Sequence, residues 1–497
     1  MKKKILLLAA LAMILFLGIY LRNLYLPGNM LFGYEQGRDA LVVKDIIALD
    51  KFTLIGPKTD IDGLFHGAGY YYILAAIYFF AQGNPASVIA AFTVINALTA
   101  IIVFFLAKEL IGKTKYALLA ALMTAVSFDV IVYGRWLSNV SFSIPLVALF
   151  FFSLIKLVKT KNPKYWLAIG IFGGLLSQFE LLHLLYAFIT IIIAIKIFSL
   201  PIKNRYFLFG LGLAIIINAN FILFDARHQF LLTNAVLHYL TSQSLSVDPL
   251  KVIYTYIDGL TLNMVATLFP SNGMLLFLFI TAMLMFYFKK KTKKMSIEFK
   301  LILLMIFFSF PYIFLLKYGS LEHFYAGTAI GWIVGFNFLV SNTEKSLTKY
   351  GVVLAYCLIV VGNISYTNKS LPNNSHVFYH AVQQNYMYKD QLATLDYVFS
   401  HGGNGFTIES YNIPNFHQHA WQYLYDWYGK QKYPKQYANN ATPGEKETVF
   451  MIIEPGAEGK IFIQWLATYH KVTTPVRKQT IGGIEIQQRK RLITDQQ

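Results

Sequence analysis

The residues best suited to chemistry lie in two neighbouring stretches near the N-terminus, YEQGRDALVVKDII and TLIGPKTDIDGLFHGAGYYY. They gather Glu35, Arg38, Asp39, Asp60, Asp62 and His66 in one polar segment beside apolar runs. A carboxylate at a wet membrane boundary can act as a general base, taking the proton of a hydroxyl or amine as that group attacks. The bland alternative is a solvated loop in which Glu35 and Arg38 pair at helical spacing. Further polar residues stand where apolar runs end: Arg135 and Asn139 in YGRWLSNVSF, Glu180 and His183 in SQFELLH, Asp225, Arg227 and His228 in FDARHQF, and Glu322 with His323 in LEHFYAG. Ionisable groups near lipid depth are costly and tend to face a cavity or a partner, although a snorkelling or hydrogen-bonded residue explains any one of them alone. Together, arginines and histidines opposite carboxylates suit a phosphate-linked substrate, with cations for the phosphate and a base for the nucleophile.

These groups need elements to hold them, and the composition names the class. Of 497 residues, 56% are hydrophobic and 14% charged, whereas soluble domains average about 25% charged. This is the profile of an all-α polytopic membrane protein. Apolar runs near 5–21, 87–107, 116–132, 142–158, 165–180, 183–199, 206–223, 272–288, 298–316, 322–340 and 350–366 give about eleven spans of roughly 30 Å. The net charge of +18 sits mostly in short connectors: Lys2 to Lys4, Lys108 to Lys115, Lys156 to Lys164, Lys203 with Arg205, Lys289 to Lys294, and Lys345 with Lys349. They fall at every second connector, which positive-inside retention explains and nucleic-acid binding does not. The N-terminus is then inside, uncleaved, and the first of the spans, since no small-x-small cleavage site follows Leu21. The opposite connectors, about 22–86, 133–141, 181–182, 224–271, 317–321 and everything after 367, face out with nearly all the candidate chemistry. The apolar segment Tyr70 to Phe80 is too short to span and reads as an interfacial or re-entrant helix whose tyrosines suit the headgroup boundary.

The expected domains are a membrane domain over 1–366, with its polar outer loop at 22–69, and a small extracytoplasmic α/β domain over 367–497. In the tail, GFTIES and TVFMIIEP read as strands, and MYKDQLATLDYVFS and HAWQYLYDWYG as helices. Cys357 is the single cysteine, so neither a disulfide framework nor a thiolate metal site is expected.

YEQGRDALVVKD followed by HGAGYYYILA resembles the first-loop signature of the membrane-embedded GT-C glycosyltransferases that use polyprenyl-phosphate sugars. The likeness is to glycosyltransferase family 39, the protein O-mannosyltransferase and lipid A aminoarabinose transferase branch. That branch typically shows Asp-Glu-x-x-Tyr-Ala after the first helix and later a Lys/His-x-Pro-Leu-Tyr-Tyr run. The resemblance implies a GT-C fold over about residues 5–340, with Glu35 at the catalytic acidic position and Gln36 at the acidic position after it. It implies that His66 contacts the donor phosphate before the Tyr70 to Tyr72 run, and that Arg135 and Asn139 occupy a second-loop Arg-x-x-x-Asp pattern. The sequence departs from the family at Glu35, Gln36, Asn139 and Ala68-Gly69; losing the second carboxylate speaks against a divalent metal and leaves Asp39 as its substitute.

The function expected is an inverting glycosyltransferase that passes a sugar from a polyprenyl-phosphate donor to an exported lipid, glycan or protein at the outer face of the cell membrane. Glu35 and Asp39 are the expected catalytic pair. His66, Arg135, Arg227 and His228 are the expected phosphate ligands, and Tyr70, Asn139, Glu180, Asp225 and His323 the expected substrate contacts, with no metal or other cofactor. A transporter or lipid flippase is the rival, although transporters place broken helices and charges near the midplane; a non-catalytic scaffold leaves the outer carboxylates without a role.

Overall fold

The computed structural model describes residues 2–59, 61–241, 248–270, 281, 295–318, 322–343, 349–373, 386–403, 405–412, 418–441 and 446–492. The run near 272–288, Asp60, the basic stretch Lys289 to Lys294 and Lys345 lie outside the described residues. Among the described residues six helices are long and apolar enough to cross a membrane: Lys2–Asn23, Pro85–Ile111, Val140–Thr160, Leu181–Phe198, Ile297–Phe314 and Tyr350–Ser370. Two bent pairs, Thr114–Val126 with Phe128–Gly134 and Arg205–Ile217 with Ala219–Arg227, raise the number to 8 if each pair is one span. Gly69–Phe80, Tyr165–Phe179 and Thr328–Asn342 are shorter apolar helices.

By its contacts the chain divides into two compact units. The first comprises Met1–Leu24, Phe52–Ile73 and Ala90–Lys369. Its bends are placed by side chains that take over the freed backbone groups, as a broken helix in lipid requires. At the first bend, Phe128 N–H donates to Asn363 Oδ1 at 2.8 Å and Ser127 Oγ donates to the Thr267 carbonyl at 3.0 Å. Strands β1 (Ile55–Lys58) and β2 (Phe65–Gly67) form an antiparallel hairpin. The sequence reading took 224–271 as a connector, but Pro249–Leu268 is a helix that buries Tyr256, Leu260, Asn263, Met264, Thr267 and Leu268. Those positions follow a 3.6-residue period, and the exposed Lys251 and Asp258 together with Asn263 keep its hydropathy below that of a span.

The second unit comprises Tyr25–Lys51, Leu74–Ile89 and Ser370–Gln497. Its sheet has strands β3 (Phe406–Tyr411), β4 (Thr448–Ile453), β5 (Thr473–Ile481) and β6 (Ile484–Arg491), in the order β3-β4-β6-β5. The β3 and β4 pair is parallel, from Phe406 opposite Thr448 to Tyr411 opposite Ile453, so the chain between them must cross over, and it does so through the helices His419–Lys432 and Pro434–Ala441. Val449 to Ile453 are buried without alternation, as a parallel strand covered on both faces demands. The four tail elements expected from sequence are all present. The outer loop expected within the membrane domain instead groups, over Tyr25–Lys51, with this tail unit.

Candidate functional site

In the first unit the site is built around a close approach of the β-hairpin to the end of the helix Tyr165–Phe179. A Cβ on Gly67 would stand 2.4 Å from Gln178 Oε1 and 2.5 Å from its Cα, so only glycine fits there. Gln178 Oε1 accepts the Gly69 N–H at 3.0 Å, and its Nε2 donates to Ile217 O and Asn220 Oδ1 at 3.2 and 3.1 Å. Asn220 returns to the hairpin by donating to the Leu54 carbonyl at 2.9 Å. The same network explains why Gly69 stands where the family pattern has leucine: a Cβ there would lie 3.0 Å from Gln178 Cβ, and a larger side chain would lack the space.

The strapped hairpin brings His66 to Glu180. Leu181 N–H donates to His66 Nδ1 at 3.2 Å, and Nδ1 lies 3.7 Å from Glu180 Oε1. With Nδ1 an acceptor, the neutral ring carries its proton on Nε2. Glu180 is extended, breaking the chain between two helices, and stands at the start of Leu181–Phe198, where the helix dipole favours an anion. Asn139 Nδ2 donates to the neighbouring Phe179 carbonyl at 2.5 Å. Arg135 is buried and gives its Nη1 to the carbonyls of Arg22 and Leu24, both at 2.6 Å. It thereby fixes the end of the first helix. Tyr70 is fully buried, with its ring 6.5 Å from that of Phe142.

The remaining expected residues divide. Asp225 caps the helix Leu231–Thr241, accepting from Leu232 N at 2.7 Å and from Thr233 Oγ1 at 2.5 Å. His228 stacks on Phe224 at 4.0 Å, whose ring in turn meets Phe65 at 5.9 Å, while Arg227 is exposed. Glu322 and His323 sit in a short turn before Thr328–Thr343. Burial pushes the Glu322 carboxyl up to about 7 and holds the His323 imidazole down to about 4. Sequence reasoning missed the polar chain behind them: Thr328 Oγ1 donates to Asn263 Oδ1 at 2.6 Å, and Asn263 Nδ2 reaches both Asp129 oxygens at 3.3 and 3.4 Å. An aspartate inside the apolar run SFDVIV was the available signal; Asn263 gave none, because its helix was read as a connector.

In the second unit, Glu35 occupies the first turn of the helix Tyr34–Ile47, and Gln36 Oε1 accepts the Gly33 N–H at 3.1 Å. Arg38 pairs with the buried Asp39 at 2.8 Å and lies over the Tyr34 ring. The helix is seated on His419–Lys432. Tyr34 stacks on His419 at 5.3 Å, and a Cβ on Gly37 would stand 2.3 Å from the Ala420 nitrogen. Three further bonds fasten the preceding segment: Tyr388 N to Met30 O at 3.1 Å, Lys389 N to Gly28 O at 3.0 Å, and Gln391 Nε2 to Phe32 O at 2.9 Å. The seat itself is anchored where Trp421 Nε1 and Asn412 Nδ2 donate to the buried Glu454 Oε1 at 2.9 and 3.0 Å. Among the described residues no group of three or more His, Cys, Asp or Glu is arranged to hold a metal ion.

The comparisons with known proteins accord with this architecture. Residues 66–224 match the model of the family described as dolichyl-phosphate-mannose-protein mannosyltransferase. The crystal structure of ArnT from Cupriavidus metallidurans in the apo state superposes with a TM-score of 0.60 at 11% identity, covering 98% of each chain. The structure of the same protein bound to undecaprenyl phosphate gives 0.58 at 10% identity, again covering 98% of each. No curated protein matches in sequence. The fold is thus the GT-C fold, and the family match falls within it, over residues 66–224. In fold the chain is similar to ArnT over nearly its whole length.

Proposed function

We propose that this glycosyltransferase uses a polyprenyl-phosphate sugar as donor and transfers the sugar, with inversion, to an exported lipid, glycan or protein. The observation that carries the proposal is an apolar cavity of about 600 Å³ in the first unit, bounded by Phe65, Leu181, Leu184, Phe221, Val236 and Leu237. Phe65 adjoins His66 in sequence, and Leu181 adjoins Glu180. An apolar chamber abutting a buried polar pair suits an amphiphile with a long hydrocarbon tail and a charged head. The fold relative that holds undecaprenyl phosphate supports the same donor class.

In the reaction the acceptor O–H or N–H attacks the anomeric carbon, the bond from that carbon to the phosphate oxygen breaks, and the polyprenyl phosphate leaves with its electron pair. Glu35 takes the acceptor proton and Asp39, locked by Arg38, orients the helix turn that presents it. Arg135 and Arg227 neutralise the departing phosphate and His66 and His228 hydrogen-bond to it, while Tyr70, Asn139, Glu180, Asp225 and His323 line the substrate region or fix its walls. The phosphate is itself the leaving group, so no cofactor is called for. The helix of Glu35 and the tail unit lie outside the cell membrane, and the N-terminus inside.

The test is purified protein in lipid nanodiscs supplied with a panel of radiolabelled polyprenyl-phosphate sugars and membrane extracts as acceptors. Label should move to an acceptor with release of polyprenyl phosphate. Donor carried across a vesicle bilayer without cleavage would instead establish the transporter reading.

A further inference from the structure

The second unit contains a groove that the roles assigned above leave unused. Three walls form it: the helix Tyr34–Ile47, the end of Gly69–Phe80 with the turn after it, and the helix His419–Lys432; together they enclose about 370 Å³. That volume lies in the range of small-molecule sites. Tyr78, Phe79, Tyr423 and Trp427 supply aromatic surface, and Lys44 with Asp426 supplies an ion pair 2.7 Å apart at the edge. The shape is held without a ligand. Tyr423 OH donates to the Gly83 carbonyl at 2.7 Å, the Tyr78 and Tyr423 rings meet edge to face at 5.9 Å, and Tyr437 OH donates to Asp426 Oδ1 at 3.0 Å. Gly83 has φ +78, and a Cβ there would press on Trp427 Cδ1 at 3.0 Å. Phe79 is nonetheless 62% exposed, an apolar ring presented to whatever enters.

Rings beside a carboxylate and an ammonium match the two-sided chemistry of a pyranose, whose C–H face stacks on an aromatic ring while its hydroxyls hydrogen-bond to charged groups. An acyl chain would desolvate the Lys44–Asp426 pair without returning a hydrogen bond. The groove also continues the helix of the candidate base. Its lining residues Ala40 and Val43 follow Asp39, and at 1.5 Å rise per residue Lys44 lies about 13 Å along the axis from Glu35. That is within the length of a short oligosaccharide.

We propose that this groove is a saccharide subsite that holds the non-reacting part of a glycan acceptor; naming the saccharide as acceptor rests on the transferase reading above, whereas binding does not. Saturation-transfer NMR of the full chain in phospholipid nanodiscs, with maltotriose, lactose and chitotriose as probes, tests it. Signals from ring C–H protons are expected with the wild-type protein, reduced at least several-fold in Phe79→Ala and in Trp427→Ala. Phe79→Ala removes an exposed ring, so its thermal midpoint should match the wild type. The proposal is overturned if no probe gives signal, if signal persists undiminished in both variants, or if the groove rings show contact with phospholipid acyl protons instead. Probe binding without transfer from any donor would sink the transferase reading and leave the groove; transfer without groove-dependent binding would do the reverse.

Discussion

At the scale of single residues, Glu35 stands in the first turn of a helix, where the N-terminal dipole favours the ionised carboxylate a general base must be. A general base contributes about a hundred- to ten-thousand-fold, so Glu35→Gln should remove most transfer while donor binding by equilibrium dialysis stays near normal. A dead Asp39→Asn beside a fully active Glu35→Gln would move the base to Asp39. Arg135 is tied to two carbonyls, so Arg135→Ala should lower the thermal midpoint as well as donor use, because each buried carbonyl left unpaired costs about 1–3 kcal/mol; an unchanged midpoint would contradict the clamp. Glu322 and His323 couple to pH with opposite signs. Glu322 binds its proton more tightly when folded, so stability falls as pH rises from 4.5 to about 7. His323 binds its proton less tightly when folded, so stability rises between about 4 and 6.5. The two slopes oppose each other in the wild type, and Glu322→Gln should remove the carboxyl's fall, on the order of 1 kcal/mol for a part-exposed group, and leave the histidine's rise. A midpoint that still fell with pH in that variant would exclude Glu322 as the source. The sequence draws attention to Glu180 because it interrupts an apolar pattern, and to Glu35 and His66 because they share a polar segment between apolar runs; it hid Asn263 and Glu454 because their value lies in partners far along the chain.

At the scale of elements, glycines decide where backbones meet. Gly37 lies against the Ala420 backbone, so Gly37→Ala must push two helices apart, a strain of about 1–3 kcal/mol by the usual cost of overpacking. Limited proteolysis should then cut the Tyr25–Lys51 segment faster than in the wild type; equal rates would mean that the seat tolerates a methyl. Hydropathy marked the apolar helices well because lipid imposes a simple rule, about 20 apolar residues per crossing. It failed for Pro249–Leu268, which carries Lys251 and Asp258 on its exposed face and Asn263 and Thr267 in its packed stripe, so that it is less apolar than a crossing helix. It also could not show that the loop bearing Glu35 folds with the tail. Main-chain bonds such as Lys389 N to Gly28 O join positions more than three hundred residues apart and leave no local mark in sequence.

At the scale of the molecule, the excess of basic over acidic residues, 43 against 25, is distributed in short connectors, and this distribution makes a sidedness argument. A lysine-rich connector is retained inside during insertion, and the bias acts through residues within about 15–20 positions of a span. Lys108, Lys113 and Lys115 flank the end of the span Pro85–Ile111 and the start of the bent pair at Thr114, so a reporter inserted at Lys113 should be active only as a cytoplasmic fusion. A reporter at Gln497 should be active only outside, on the same side as a tag placed after Ile47. Counting Gly69–Phe80 as a full crossing would reverse both reporter results, because an extra span before Lys113 changes the side of everything after it without touching the loop at Ile47. The insertion at Lys113 therefore decides whether that helix crosses or re-enters. If the tags at Ile47 and Gln497 were found on opposite sides, the loop bearing Glu35 and the tail could not share a compact unit in the membrane, and the assignment of Glu35 to an outer active site would fall with it.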